Sequence, residues 1–186
     1  AWCWKMRQLK YHEQKLLKKT NFLEWENERN RVQIETIRKY QLKSREEYLQ
    51  YYKVCRLVYK LRDLLLELSP EDPIRREVTN MLLDKLYRMG VIHSRKNLEE
   101  CERVSVSAFC KRRLPVLMMK MRYTENLFKA IQYVEGGHVK VGPEIVRDPA
   151  FLVTRNMSDF VTWADRSKIK KHIMEYNDEL DDYNLM

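Results

Sequence analysis

The chain has 186 residues, of which 44% are hydrophobic and 34% charged, and its formal net charge is +9. That apolar share builds a core and excludes a fully disordered chain, while four Gly and five Pro exclude collagen-like or Pro/Gly-rich sequence. The densest apolar runs, Leu64 to Leu66 and Val116 to Met119, fall far short of the ~18 residues of a membrane span, and no signal segment opens the chain, so an intracellular, soluble protein with no membrane partner is expected.

Residues 1–40 read as a basic arm. Lys10, Lys15, Lys18 and Lys19 alternate with Leu9, Leu16, Leu17, Phe22 and Trp25, and a short helix is expected over 9–19. It is too short to be stable alone, so the arm is expected to order on its partner. Val32, Ile34 and Ile37 predict a second helix over 30–40. Ser44 and Glu47 form a capping box for a long helix. Its apolar stripe runs through Tyr48, Tyr51, Cys55, Val58, Leu61, Leu65 and Leu68, and Ser69-Pro70 ends it. Asp72-Pro73 opens the next helix, with Ile74, Val78, Met81, Leu82 and Met89 along one side, and Gly90 stops it. The two are expected to form an antiparallel hairpin within a helical domain spanning 41–106.

Residues 107–165 predict an α+β unit. One helix starts at Ser105 or Ser107 and runs to Arg122, and a second runs from Thr124 to Glu135, where Gly136-Gly137 stops it. Short strands follow at His138 to Val141, Leu152 to Thr154 and Phe160 to Trp163, with a turn at Gly142-Pro143. Ser167 begins a closing helix carrying Ile169 and Ile173, so 166–186 is a C-terminal helix and acidic tail. Two helices followed by a small twisted sheet complete an α+β chain.

The charge is localised. Residues 1–62 carry +9, 63–110 carry −2, 111–140 carry +5, 141–171 carry +2 and 172–186 carry −5. Two basic blocks on one chain suit a polyphosphate, because each neutralised phosphate releases condensed counterions. Cys3, Cys55, Cys101 and Cys110 include no C-x(2–4)-C pair, and the four His are scattered, so neither a metal site nor a cofactor is expected. Cys55 falls on the apolar helical stripe and reads as core.

Function concentrates in the α+β unit. Arg112, Arg113, Lys120 and Arg122 surround the core set Leu114, Leu117, Met118 and Met121. Asn126, Lys129 and Gln132 share one helical face, opposite Leu127, Ile131 and Val134. On the following strand His138 and Lys140 point one way, Val139 and Val141 the other. Cations on two helices and a strand, with amide and imidazole donors between them, suit folded RNA. The plainer alternatives are a solvated helix face and, for His138, a satisfied structural histidine.

These residues carry a resemblance. Arg113-Leu114, Ala130-x-Gln132-x-Val134 and Gly137-His138-Val139-x-Val141 resemble the S4-type RNA-binding domain of the fourth small-subunit ribosomal protein, a fold called the αL motif. A closer likeness covers nearly the whole chain. It is carried by 9–19, Leu82-Leu83-Asp84-Lys85-Leu86-Tyr87, Phe109-Cys110-Lys111-Arg112-Arg113-Leu114-Pro115, 137–143, 148–155, 159–163 and 167–170. These segments are similar to the ribosomal-protein-S4-like subunits of the U3 small nucleolar ribonucleoprotein, within the uS4 family. The resemblance implies a nucleolar factor of the small-subunit processome, the 90S pre-ribosome. Such factors bind U3 snoRNA, support its pairing with pre-rRNA in the 5′ external spacer and 18S region, and serve early 18S rRNA processing. They associate with the U3-particle scaffold, an M-phase phosphoprotein, and with other processome proteins. Gly142 stands where the ribosomal pattern often has Asn, and Leu127 and Ile131 stand where it often has Arg; the N-terminal lysines are expected to compensate.

The phosphate contacts expected are Arg112, Arg113, Lys120, Arg122, Lys129 and Lys140, with Asn126, Gln132 and His138 nearer bases or riboses, and Lys10, Lys15, Lys18 and Lys19 forming a second basic surface. An enzyme carrying the same RNA module needs a further catalytic domain, and there is neither a Gly-rich phosphate loop nor a nucleophile–base pair, so no small-molecule substrate is expected. A structural protein of the small ribosomal subunit, or a helical adaptor, is the alternative.

Overall fold

The computed structural model describes residues 7–19 and 28–179, with side chains from residue 31 onward in the second segment. Cys3, Phe22, Trp25 and the end of the acidic tail lie outside the described residues. The chain divides into two compact units, 1–54 and 55–186.

The first unit holds α1 (Tyr11–Lys19), α2 (Glu28–Tyr40) and the start of α3 (Arg45–Glu67). Helix α1 buries none of its residues. Its entry is fastened by a two-pronged bond from Arg7 to the Glu13 carboxylate at 2.7 and 2.9 Å, and Glu13 also accepts from the Lys10 N–H at 2.9 Å. The buried stripe of α2 is Gln33, Thr36, Ile37 and Tyr40. Val32, expected on the apolar side, is exposed; Thr36 fits inside because its hydroxyl donates to the Val32 carbonyl at 2.8 Å. Ser44 caps α3 as expected, its Oγ accepting from the Glu47 N–H at 3.4 Å.

The second unit begins in the middle of α3, whose Cys55, Val58 and Leu65 are buried. Helix α4 (Pro73–Met89) opens on Asp72-Pro73 and closes on Gly90 at φ 76°. The Val91 N–H reaches back to the Leu86 carbonyl at 3.1 Å, which closes a Schellman turn. The expected α4 stripe is out of phase. Ile74 and Met81 are 67% and 65% exposed, and the buried residues are Leu83 and Leu86. Apolar residues cover more than half of this helix's circumference, so spacing alone does not single out the inner face. The close backbone neighbours of α4 are α8 (Arg155–Ser158) and a 3-10 turn (Leu98–Arg103).

The helix expected from Ser105 or Ser107 to Arg122 is two helices, α5 (Val106–Cys110) and α6 (Leu114–Lys120). Pro115 has no N–H, and in a continuous helix its ring would meet the Lys111 carbonyl. The chain therefore restarts with Arg113 extended at φ −65°, ψ 142° and the proline in the first turn. Helix α7 (Leu127–Glu135) starts later than expected, with Asn126 as its extended N-cap. Gly137 at φ 71° ends it, and the His138 N–H bonds the Tyr133 carbonyl at 3.0 Å.

The sheet has three strands, β1 (Val139–Val141), β2 (Glu144–Ile145) and β3 (Val161–Trp163), in the antiparallel order β2-β1-β3. Lys140 pairs with Ile145 on one side and Thr162 on the other. The Leu152 to Thr154 strand does not form; only an isolated bridge joins Arg113 to Leu152. Pro149 precedes that segment and Thr154 already caps α8, which leaves too few residues for a ladder. Leu114, Leu117, Met118, Ala130, Val134, Val139, Val141, Val153 and Val161 form one core. Helix α9 (Lys168–Tyr176) closes the fold as expected, with the Ser167 hydroxyl accepting from the Ile169 N–H at 3.2 Å. It buries none of its own residues.

Candidate nucleic-acid interface

Ala130 and Val134 anchor α7 to the core at zero exposure. Their spacing turns Asn126, Lys129 and Gln132 outward, and all three are exposed. Helices α6 and α7 pack against each other, and the link between them carries Arg122 in the left-handed region at φ 62°. A side chain rarely occupies that conformation without glycine; here the Tyr123 N–H bonds the Met118 carbonyl at 2.9 Å and secures the turn. Lys120 and Arg122 are exposed, and among the described residues neither they nor Lys129 has an ion-pair partner. Three cations and two amides thus stand on the packed α6–α7 pair.

Other expected contacts are engaged within the protein. Arg113 is the main correction: it is only 2% exposed, one of the largest fully buried side chains, and cannot meet a phosphate at the surface. It is the N-cap of α6, and the Arg113–Leu152 bridge draws its segment inward. Arg112 is half-buried. Its Nε and Nη2 donate to the Val153 carbonyl at 2.9 and 2.7 Å, and Nη2 also donates to Ser158 Oγ at 2.9 Å. Burial, and then the neighbouring Arg155 cation, pull the Arg112 guanidinium below its ordinary pKa.

Lys140 lies on the face of β1 opposite Val139 and Val141, as expected from alternation, but its Nζ is held 2.6 Å from Asp165. Asp165 also takes Lys170 at 2.5 Å. The two ammonium groups depress its carboxyl to about 2. His138 Nδ1 is 2.9 Å from Ser167 Oγ, so this ring fastens the α9 cap to the sheet. That is the satisfied structural histidine set beside a base contact on sequence grounds. Lys10, just ahead of α1, and Lys15, Lys18 and Lys19 within it are all exposed. Asp165 and Lys170 were not singled out, and nothing in their spacing from Lys140 marks the contact. Among the described residues no group of His, Cys, Asp or Glu is placed to hold a metal ion.

With this geometry in view, comparison with known proteins is decisive. The chain is 51% identical to the mouse U3 small nucleolar ribonucleoprotein protein IMP3 over 97% of its own length and 98% of the mouse protein. The chain belongs to the IMP3 family. The Saccharomyces cerevisiae member is 46% identical over 97% of this chain and 99% of its own. More distantly, the small ribosomal subunit protein uS4 of Picrophilus torridus is 26% identical over 77% of this chain and 79% of its own. Residues 8–111 match the ribosomal protein S4/S9 N-terminal domain, and 112–159 match the S4 domain. The IMP3 assignment therefore joins two domain types, and the exposed α6–α7 cations lie in the second.

Proposed function

We propose that the protein is a non-catalytic, RNA-binding subunit of a U3 small nucleolar ribonucleoprotein in the nucleolus, working in the small-subunit processome. It supports base pairing between U3 snoRNA and pre-rRNA in the 5′ external spacer and 18S region, and so serves early 18S rRNA processing. The scaffold M-phase phosphoprotein and other processome proteins are its protein partners. The observation that carries this reading is the exposed face of the S4 domain, on which Lys120, Arg122 and Lys129 stand without ion pairs among the described residues, beside Asn126 and Gln132. The cations meet phosphates and the amides meet riboses or bases. Lys10, just ahead of α1, and Lys15, Lys18 and Lys19 within it form a second basic surface. Lys140 joins the first surface when RNA phosphate replaces Asp165 as its counterion.

Nucleotide-resolution crosslinking of the protein in cells tests this. Recovery of U3 snoRNA and 5′ external spacer is the expected result. Recovery of mature 18S RNA alone would instead make the chain a structural ribosomal protein, the alternative that the uS4 likeness favours.

A further inference from the structure

A cavity of about 640 Å³ lies beside the proposed RNA face, and its charge is unbalanced. Arg103, Lys111, Arg112, Lys120 and Arg155 line it, and among the described residues Glu100 is its one acidic lining residue. Glu100 is already paired with Arg103 at 3.4 Å. The two half-buried guanidiniums inside repel one another and among the described residues have no carboxylate partner; they are held by backbone carbonyls, by the Ser158 hydroxyl and, for Arg155, by the Tyr87 ring 4.0 Å away. Arg112 bonds the Val153 carbonyl, and Arg155 Nη2 bonds the Ile92 carbonyl at 2.7 Å, leaving the buried Arg155 Nε without an acceptor. Carbonyl dipoles orient a cation but do not neutralise it. A concave, cation-lined site of this kind gains most from an anion brought from outside.

We propose that this cavity holds a nucleotide unit of bound RNA, its phosphodiester on the Arg103, Lys111 and Lys120 side chains. The inference rests on the RNA-binding reading above. Size and lining both favour a nucleotide. The volume far exceeds one phosphate and suits a ligand of nucleotide size. Val91, Ile92 and Val116 add an apolar wall to the lining, which accepts the face of a base or ribose. Acidic peptide side chains would use the charge but not that wall. Lys120 belongs both to the cavity and to the α6–α7 face, so a strand lying along α6 reaches the cavity without a break.

The test uses the full chain and a single-stranded transcript of U3 snoRNA carrying 4-thiouridine. Photocrosslinks are mapped by mass spectrometry, and affinity is measured across a salt series for wild type, Arg103→Ala with Lys111→Ala, and Lys129→Ala. Arg103 and Lys111 are exposed, so the double variant folds. Crosslinks within 103–120, and a log K against log salt slope flatter by about 0.7 for each lost contact, are expected. If Lys129→Ala weakens binding while the double variant leaves slope and crosslinks unchanged, the cavity assignment falls and the RNA-binding reading stands. If wild type fails to bind the transcript, both fall. If the double variant loses a polyglutamate peptide yet keeps RNA, the occupant is an acidic protein segment and the assignment is overturned.

Discussion

Asp165 serves two lysines at once, with Lys140 Nζ at 2.6 Å and Lys170 Nζ at 2.5 Å, and so ties β1 to α9. Its carboxyl falls from the ordinary 3.8 to about 2 because the two ammonium groups favour the anion. A depressed acid contributes stability above its unfolded pKa and loses it as pH falls through the folded one. A component of folding stability is therefore expected to disappear between about pH 4 and pH 2. Asp165→Asn should lack it, which acid unfolding of the two proteins followed by circular dichroism checks; matching curves would break the argument. Arg122 presents the opposite case, a residue whose backbone is costly while its exposed side chain has no ion-pair partner among the described residues. Holding a non-glycine residue at φ 62° costs about 1–2 kcal/mol, and glycine's greater unfolded entropy returns part of that. Arg122→Gly is expected to gain up to about 1 kcal/mol in denaturant unfolding and to lose RNA affinity. A variant that gains stability without losing RNA affinity would show that the cation does not contact RNA.

At the scale of elements, Pro115 sets the geometry of the basic stretch 111–113. By breaking one helix into α5 and α6 it leaves Arg113 extended, buried and at the head of α6. Arg113→Ala should cost at least about 1–3 kcal/mol, the penalty for groups left unsatisfied in a core, with the salt slope of RNA binding by the folded fraction unchanged. Equilibrium unfolding and a salt titration together separate that outcome from a phosphate contact, which would move the slope. Leu86→Ala, at 1% exposure in α4, is expected to cost about 2–5 kcal/mol. The burial of neither residue was legible in the sequence. Period and alternation work when polar and apolar faces are cleanly divided, so Val134, Val139 and Val141, and the caps Gly90, Gly137 and Ser167 were legible, whereas the burial of Ala130 in place of Leu127 and Ile131 was not. Helix α4 spreads its apolar residues over more than half of its circumference, and its phase is set by α8 and the 3-10 turn, elements too short to leave a period of their own. Arg113 sits in a run of three cations that resembles a surface, and its burial depends on the bridge to Leu152, forty residues away in a segment that only tertiary pairing brings close. For the same reason the Lys120, Arg122 and Lys129 surface was visible in advance, whereas the Arg112 and Lys140 partners were not.

Across the whole molecule the positive charge falls in two blocks, +9 over 1–62 and +5 over 111–140, separated by a slightly acidic stretch. Two RNA strands that must pair repel through their phosphates, and that repulsion is strongest at low salt. A protein with one basic block binds one strand more tightly but does not help the second approach. Two blocks can each neutralise a strand, and the pairing step then occurs within one complex at raised effective concentration. Binding and annealing should therefore come apart on mutation. Replacing Lys10, Lys15, Lys18 and Lys19 by Ala should leave binding of a single U3 strand at the S4 surface, with a reduced salt slope, and abolish acceleration of its pairing with a pre-rRNA strand. Lys120→Ala with Lys129→Ala should produce the mirror result. Stopped-flow fluorescence of labelled strands gives the pairing rate, and filter binding gives each strand's affinity. If either variant set lowers affinity yet keeps the wild-type acceleration, one surface is enough, and the protein holds RNA in place without driving the strands together.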